Sequence, residues 1–296
     1  MDEGKARLGG IALMIGAFIF FAGLDSCAKF LGASLPVAQT VFLRYVFAVG
    51  YALVFVWFSG GKSLFITKAP KLQIVRGLLL LAATLSNFVA VKYLRLDQTS
   101  AIMFSSPLWV CALSVPLLGE AVGPRRWIAV AFGFLGVLVI IRPGTDGFHW
   151  AMLLSLASTL SVAFYLIASR KVGAVDSSKT SVFYASVVGA VAAAPAAPFV
   201  WVPPDGFEWL LIVIMGLCGG IGHHMLSQAH RMAPAPVLAP FIYTQIVSMA
   251  AMGYLFFGDV PDAWTIAGAS IVIGSGLYLL YRERRLQARP GKCLPR

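Results

Sequence analysis

Asp25 and Arg44 are ionisable residues placed inside long apolar runs. A charge at the centre of a hydrocarbon layer costs about 2.5–3.5 kcal/mol on insertion scales, so such a residue defaults to a functional role. Asp25 lies about six residues before the end of its run and Arg44 about eight residues into the next. At 1.5 Å per residue these depths are roughly 9 and 12 Å. Similar depth on consecutive segments allows the two to form an ion pair. Such a pair is either a salt bridge joining two helices, or an anchor for a ligand carboxylate or a proton-coupling site. Lys29, at i+4 from Asp25, competes for the same carboxylate.

Uncharged polar and aromatic residues recur at helical spacing in other apolar runs. Ser105 and Trp109 are one turn apart. Ser158, Ser161 and Tyr165 follow one another at i, i+3 and i+7, which places them on one helix face. His223 and His224 are followed one turn later by Ser227 and Gln228, Tyr243 and Gln245 share another run, and Asn87 stands in a third. Such groups offer hydrogen bonds and aromatic walls, which suit a flat or cationic small molecule. Each alone is also an ordinary hydrogen-bond partner between membrane helices. The candidate binding set is Asn87, Ser105, Trp109, Ser161, Tyr165, His223, Gln228 and Tyr243, with Asp25 and Arg44 as ion pair or coupling groups.

Adjacent histidines project from different faces and make a poor metal pair; at most one should face a cavity, where it could carry a proton. Cys27, Cys111 and Cys218 stand alone in apolar runs and Cys293 is near the C-terminus, so neither a disulfide framework nor a zinc site is expected. No HExxH, no GxS with a partner histidine and no paired aspartates are found within the runs. An intramembrane enzyme is therefore disfavoured, and no cofactor or metal is expected.

The elements that must hold these residues are the runs themselves. The chain has 296 residues, 59% of them hydrophobic and 12% charged, against about 25% charged in soluble domains. A helix needs about 20 apolar residues to cross a roughly 30 Å core. Spans are expected at Gly9–Leu31, Pro36–Phe58, Leu72–Val91, Gln98–Leu118, Trp127–Ile141, His149–Ala168, Thr180–Val200, Glu208–Ala229, Pro236–Gly258 and Trp264–Tyr281. Hydropathy alone allows eight to eleven. Pro107, Pro116, Pro195 and Pro240 can kink their spans. Gly216/Gly220, Gly133/Gly136 and Gly274/Gly276 allow close helix approach. The first span reads as a membrane helix rather than a cleavable leader.

The net charge of +11 is unevenly spread. With the N-terminus inside, most Lys and Arg fall on inner segments: Lys5 and Arg7, Lys62, Lys68, Lys71 and Arg76, Arg125 and Arg126, Arg170, Lys171 and Lys179, Arg231, and the C-terminal cluster from Arg282. Lys29, Lys92, Arg95 and Arg142 remain outside. The positive-inside rule then places both termini in the cytoplasm of a multi-pass inner-membrane protein. The basic surplus is a topology signal, so the partners expected are a small molecule and the lipid bilayer, with no nucleic acid. Monomer and homodimer both stay open.

Shifting the chain on itself by 139 residues aligns Gly77 with Gly216, Ala90 with Ala229, Lys92 with Arg231, Phe104-Ser105-Ser106 with Tyr243-Thr244-Gln245, and Gly119-Glu120 with Gly258-Asp259. The fold class is thus an all-α polytopic membrane protein of ten helices in two five-helix repeats, 1–146 and 147–285, followed by a cytoplasmic tail, 286–296. Five is odd, so the second repeat enters the membrane from the opposite side, the inverted arrangement of secondary transporters. Glu120 is then cytoplasmic and Asp259 external.

Arg44-Tyr45, Pro107, Gly119-Glu120 and the Gly133/Gly136 span, with the same layout in the second half, resemble the EamA family of the drug/metabolite transporter superfamily. The second half departs at Asp259, where the family pattern has Glu, and at Ile246, aligned with Pro107. The resemblance implies alternating access and export of small metabolites, most like bacterial exporters of aromatic amino acids and compounds such as methyl viologen. No GxxxxGK[ST] motif is present, so a gradient or facilitated flow must drive transport. A sugar or organic-cation carrier of the same superfamily is the alternative, and a channel is a third possibility.

Overall fold

The computed structural model describes residues 3–59, 65–119, 123–173, 175–233 and 235–287. In chain order its α-helices are α1 (Glu3–Ser34), α2 (Val37–Ser59), α3 (Pro70–Tyr93), α4 (Leu96–Met103), α5 (Ser106–Leu118), α6 (Pro124–Ile141), α7 (Ala151–Gly173), α8 (Ser178–Ala193), α9 (Gly206–Met232), α10 (Ala235–Leu238), α11 (Thr244–Phe257) and α12 (Ala263–Gln287). No strand occurs among the described residues. Nine segments among them are long and apolar enough to cross a membrane, α4 and α5 counting as one; the shorter apolar helix Lys179–Ala193 makes the tenth.

Three expected spans are built differently. The fourth is broken at Phe104 and Ser105, where Pro107, at the start of α5, has no N–H to continue the ladder. The ninth is broken by a 3-10 turn over Ala239–Tyr243 that contains Pro240. The seventh stops at Ala193 rather than Val200, because Pro195 ends the α-helix and the chain continues as a separate 3-10 turn, Ala197–Val200. Each proline-bearing break leaves backbone groups that must be satisfied inside the protein. The Ser105 hydroxyl, for instance, donates to the Ile102 carbonyl at 2.7 Å.

The two breaks occupy equivalent positions of the repeat, and so do the helix ends that follow. Gly119 and Gly258 close α5 and α11 in the left-handed conformation, with φ of 69° and 68°, which glycine adopts without the Cβ penalty. Phe104 and Tyr243, also repeat partners, touch with ring centroids 5.1 Å apart. Contact between equivalent residues marks a pseudo-two-fold axis.

Helix neighbours come in exchanged pairs around that axis. α1 packs on α9 as α7 packs on α3. The same exchange relates α2·α9 to α8·α3 and α1·α11 to α7·α5, while α2·α8 and α6·α12 cross their own equivalents. In the α6·α12 crossing a Cβ at Gly268 would stand 2.6 Å from the Gly136 carbonyl oxygen, so the two backbones nearly touch. The outer faces of α6, α11 and α12 expose Phe132, Leu135, Leu255 and Ile266, as a lipid-facing surface requires. The core lies between α1, α2, α3 and α9, around Leu24, Leu31, Tyr45, Ile212 and Met215.

Glu120, residues 288–296 of the tail and the Ser227 side chain lie outside the described residues.

Candidate functional site

A cleft partly open to solvent runs between α2, α3, α7, α8 and α9. Tyr45, Tyr51, Tyr165 and Phe183 form its aromatic walls, Arg44 and Lys179 its cations, and Gly216, Gly219 and Gly220 one smooth side. The glycines make room: a Cβ at Gly220 would lie 2.5 Å from the Tyr51 ring. Arg44 is seven residues into α2, roughly 10 Å deep, while Lys179 sits at the start of α8. The cleft therefore runs from mid-membrane to the end of the molecule that bears the start of α1.

The opposite end is closed by polar contacts on or beside the ends of seven helices, α1, α2, α3, α4, α6, α11 and α12. Lys29 on α1 donates to Asp259 at 2.6 Å and to the Leu94 carbonyl, at the end of α3, at 3.1 Å. Asp259 is held there because the left-handed Gly258 turns its N–H back to the Gly253 carbonyl. Arg142 and Arg95 reach Asp262 at 2.8 and 3.6 Å. Asp262 also accepts from the Thr265 N–H at the start of α12. Burial alone would raise the Asp262 pKa, but that bond and the two arginines hold it below its ordinary value. Gln39, near the start of α2, exchanges two hydrogen bonds with the Val202 backbone, of 2.7 and 2.8 Å.

Of the candidate residues, Arg44, Tyr165 and His223 line the cleft. His224 lines it too, so both of the pair do, where at most one was expected. Asp25 and Asn87 are buried behind the wall, where the Asn87 amide donates to the Asp25 carboxylate at 2.9 Å. No ion pair within 4 Å joins Asp25 to Arg44. The Arg44 guanidinium instead donates to the Thr84 hydroxyl at 3.3 Å and lies over the Tyr45 ring, 4.7 Å from its centroid. Lys29 goes to Asp259.

The remaining candidates are elsewhere. Ser105 and Tyr243 belong to the helix breaks. Trp109 packs edge-on against Phe134 of α6, centroids 4.6 Å apart. Ser161 donates to the Ala157 carbonyl of its own helix at 2.9 Å, and Gln228 is half-buried on α9 away from the cleft lining.

Arg76 was expected among the inner loop charges, yet it is buried in α3. Its guanidinium donates to the Ser169 hydroxyl (2.7 Å), the Gln73 amide oxygen (3.1 Å), the Ser181 carbonyl (2.6 Å) and the Tyr165 hydroxyl (2.7 Å). It thereby fixes the Tyr165 ring, which it also overlies. Its position within the expected span Leu72–Val91 was the available signal. Gln73 in turn donates to Asp176 in the α7–α8 turn at 2.9 Å. Asp176 also accepts from the Lys68 N–H and the Thr67 hydroxyl, and these bonds hold its carboxyl below the ordinary value of 3.8.

The EamA-like transporter family matches this chain twice, over residues 8–142 and 149–282. The S-adenosylmethionine uptake transporter of Rickettsia felis is 30% identical over 288 residues, 97% of this chain and 98% of that protein. The pseudopaline exporter of Pseudomonas aeruginosa is 30% identical over 271 residues, covering 89% and 93%. The riboflavin transporter of Rhizobium johnstonii is 26% identical over 297 residues, covering 98% and 96%. A solved crystal structure has the same fold, with a TM-score of 0.66 at 18% identity over 94% of this chain and 99% of that one.

Proposed function

From the premise that the chain belongs to the EamA-like transporter family, we propose that it exports aromatic amino acids and related compounds by alternating access. At the coarser level it is a small-molecule transporter of the drug/metabolite superfamily and a multi-pass membrane protein, not an enzyme. The observation that carries the finer reading is a one-sided cleft with four aromatic walls. Its closed end is tied by Lys29–Asp259 and the Asp262 cluster.

With the basic segments cytoplasmic, the cleft opens to the cytoplasm of the cell and the ion pairs face outward. That is the loading state of an exporter. The repeats 1–146 and 147–285 would exchange conformations about the axis at Phe104 and Tyr243 to open the other side. Relatives named for S-adenosylmethionine uptake, riboflavin transport and pseudopaline export show that one scaffold serves varied cargo and both directions. The organic-cation alternative is disfavoured because the cleft lining contains cations and no acidic residue among the described ones.

The test is uptake of radiolabelled phenylalanine into inside-out proteoliposomes, with and without a pH gradient. Unlabelled tyrosine, tryptophan, riboflavin and S-adenosylmethionine serve as competitors. Saturable uptake competed by tyrosine and tryptophan is expected. Absence of phenylalanine flux in vesicles that take up riboflavin or S-adenosylmethionine would replace the amino-acid reading. Cytoplasmic labelling of a reporter fused after residue 296 checks the orientation.

A further inference from the structure

We propose that Arg44 is the anchor for a carboxylate, so that the cargo of this cleft is a small molecule joining one carboxylate to a flat apolar ring. The proposal rests on reading the cleft as the transport site, and it adds the charge that cargo must carry.

Arg44 is buried, 8% exposed, and lines the inner end of the cleft. A guanidinium does not lose its proton in a protein, so this charge is permanent. A buried cation demands a counter-charge or a full set of acceptors. Arg44 lacks the full set: its Nε is buried without a hydrogen-bond partner, and its hydroxyl partner, Thr84, is at 3.3 Å. The nearby buried Asp25 offsets part of that charge through space, but it accepts from Asn87 and makes no ion pair within 4 Å of Arg44, so the Nε gains no bond from it. Meanwhile the flat face of the guanidinium is held against Tyr45, which orients the plane, while the Nε stays covered and unbonded, so a small side-chain shift must open that edge to an incoming oxygen.

The surroundings have the same sign. No Asp or Glu lines the cleft among the described residues, whereas Lys179 stands at its mouth. An anion entering the cleft is drawn toward Arg44, since a low-dielectric cleft without acidic lining concentrates negative charge at a buried cation. The geometry favours a carboxylate over a more highly charged group. One guanidinium edge matches the two oxygens of one carboxylate, while Lys179 lies at the far end of the cleft rather than beside Arg44. Beyond the anchor, Tyr51, Tyr165 and Phe183 offer faces for a ring. A flat cation without a carboxylate would leave Arg44 unmatched and meet repulsion from it.

Two arms test the proposal on the full-length protein. In the first, the four cysteines are replaced by alanine and Ala48, a cleft residue one turn from Arg44, is replaced by Cys. An anionic methanethiosulfonate should modify Ala48→Cys at least about tenfold faster than a cationic one, and Arg44→Gln should abolish that preference while Arg44→Lys retains part of it. In the second, 3-phenylpropionate, phenethylamine and succinate are compared as protectants of that cysteine and as thermal stabilisers of the unsubstituted protein. Protection and stabilisation by 3-phenylpropionate but not phenethylamine, weakened at least about tenfold by Arg44→Gln, is the expected result. Preference for phenethylamine, no effect of any carboxylate, or protection indifferent to Arg44 overturns the anchor. Arg44-dependent protection by succinate without 3-phenylpropionate would uphold the anchor and defeat the aromatic-cargo reading instead.

Discussion

Replacing Lys29 by Gln should unlatch the closed end of the transporter. The Lys29–Asp259 pair spans 2.6 Å between side chains only 15% and 20% exposed, and Lys29 adds a bond to the Leu94 carbonyl. Hydrogen bonds to charged groups contribute about 1.5–3 kcal/mol each when partly shielded. Opening that end separates α1 from the end of α11, so the Lys29–Asp259 bond is lost in one conformation, and its contribution alone sets the difference. At about 1.4 kcal/mol per factor of ten, the open-to-closed ratio rises roughly 10- to 150-fold. The assay is labelling of Ala48→Cys by a membrane-impermeant thiol reagent added from one side at a time in oriented vesicles. Labelling from the Lys29 side should rise by that factor while the closed state still dominates, and labelling from the Lys179 side should fall only once the two states become comparable in population. The exchanged pair Lys29→Asp with Asp259→Lys should restore the original pattern. If Lys29→Gln leaves both rates unchanged, or if Lys29→Gln and Asp259→Asn add as independent changes, the contact does not latch the fold.

Tyr165→Ala should raise the KM for aromatic cargo about tenfold, as loss of one stacking and packing face implies, whereas Tyr165→Phe should keep KM near its starting value. Tyr165→Phe should lower thermal stability by about 1–2 kcal/mol, since Arg76 loses a 2.7 Å partner. Trp109→Ala should lower the melting temperature without changing KM, because its ring packs on Phe134 away from the cleft; a KM effect in folded protein would return Trp109 to the binding set. Gly268→Ala should destabilise despite alanine's helix preference of about 1 kcal/mol, because its Cβ would stand 2.6 Å from the Gly136 carbonyl oxygen. Gly274→Ala, which meets nothing within 4 Å, should stabilise instead, and melting curves of the pair decide the matter. Asp176→Asn should destabilise at neutral pH. A carboxyl held below 3.8 contributes stability that is present above that value and lost as pH falls through its lower folded pKa, so the difference from wild type should vanish in acid; a difference that persists there would assign it to shape rather than charge.

Span number was legible because twenty apolar residues in a row have few other uses, and the repeat was legible because Gly119 and Gly258 do the same left-handed work in both halves. Prolines flagged the disrupted spans, but not the form each disruption takes: Pro107 follows its break whereas Pro240 lies within its own. Arg44, Tyr165 and His223 were recognisable as unusual residues in apolar runs, yet nothing in spacing could tell that Trp109 turns to Phe134 while Tyr165 meets Arg76. That depends on helix rotation, which tertiary packing sets. Ser161 illustrates the same ambiguity, since its hydroxyl is satisfied by its own helix. Arg76 was missed for a different reason: a basic residue near a span end reads as a loop charge until the helix is seen to begin at Pro70.

The backbone of this chain is nearly two-fold while its charges are not. Breaks, caps and helix contacts repeat across the axis, but Asp25, Arg44 and Arg76 stand in the first half, and the position 139 residues after Arg76 is Met215. On the alternating-access proposal, symmetry of the scaffold would supply two interchangeable arrangements, since exchanging the conformations of the halves keeps each type of helix contact. Asymmetry of the side chains then decides their relative energy and what each one binds. A cargo anion at Arg44 would bond its carboxylate to the first half and lay its ring against Tyr165 and Phe183 of the second, so its arrival would change the balance between the two arrangements without equal partners in both. Placing a cation at Phe183, as Phe183→Arg, is therefore expected to create a second anion-holding position on α8 and slow release rather than speed entry. Pre-steady-state efflux from loaded vesicles reads that difference: an accelerated efflux phase would contradict the division of labour between symmetric backbone and asymmetric charge.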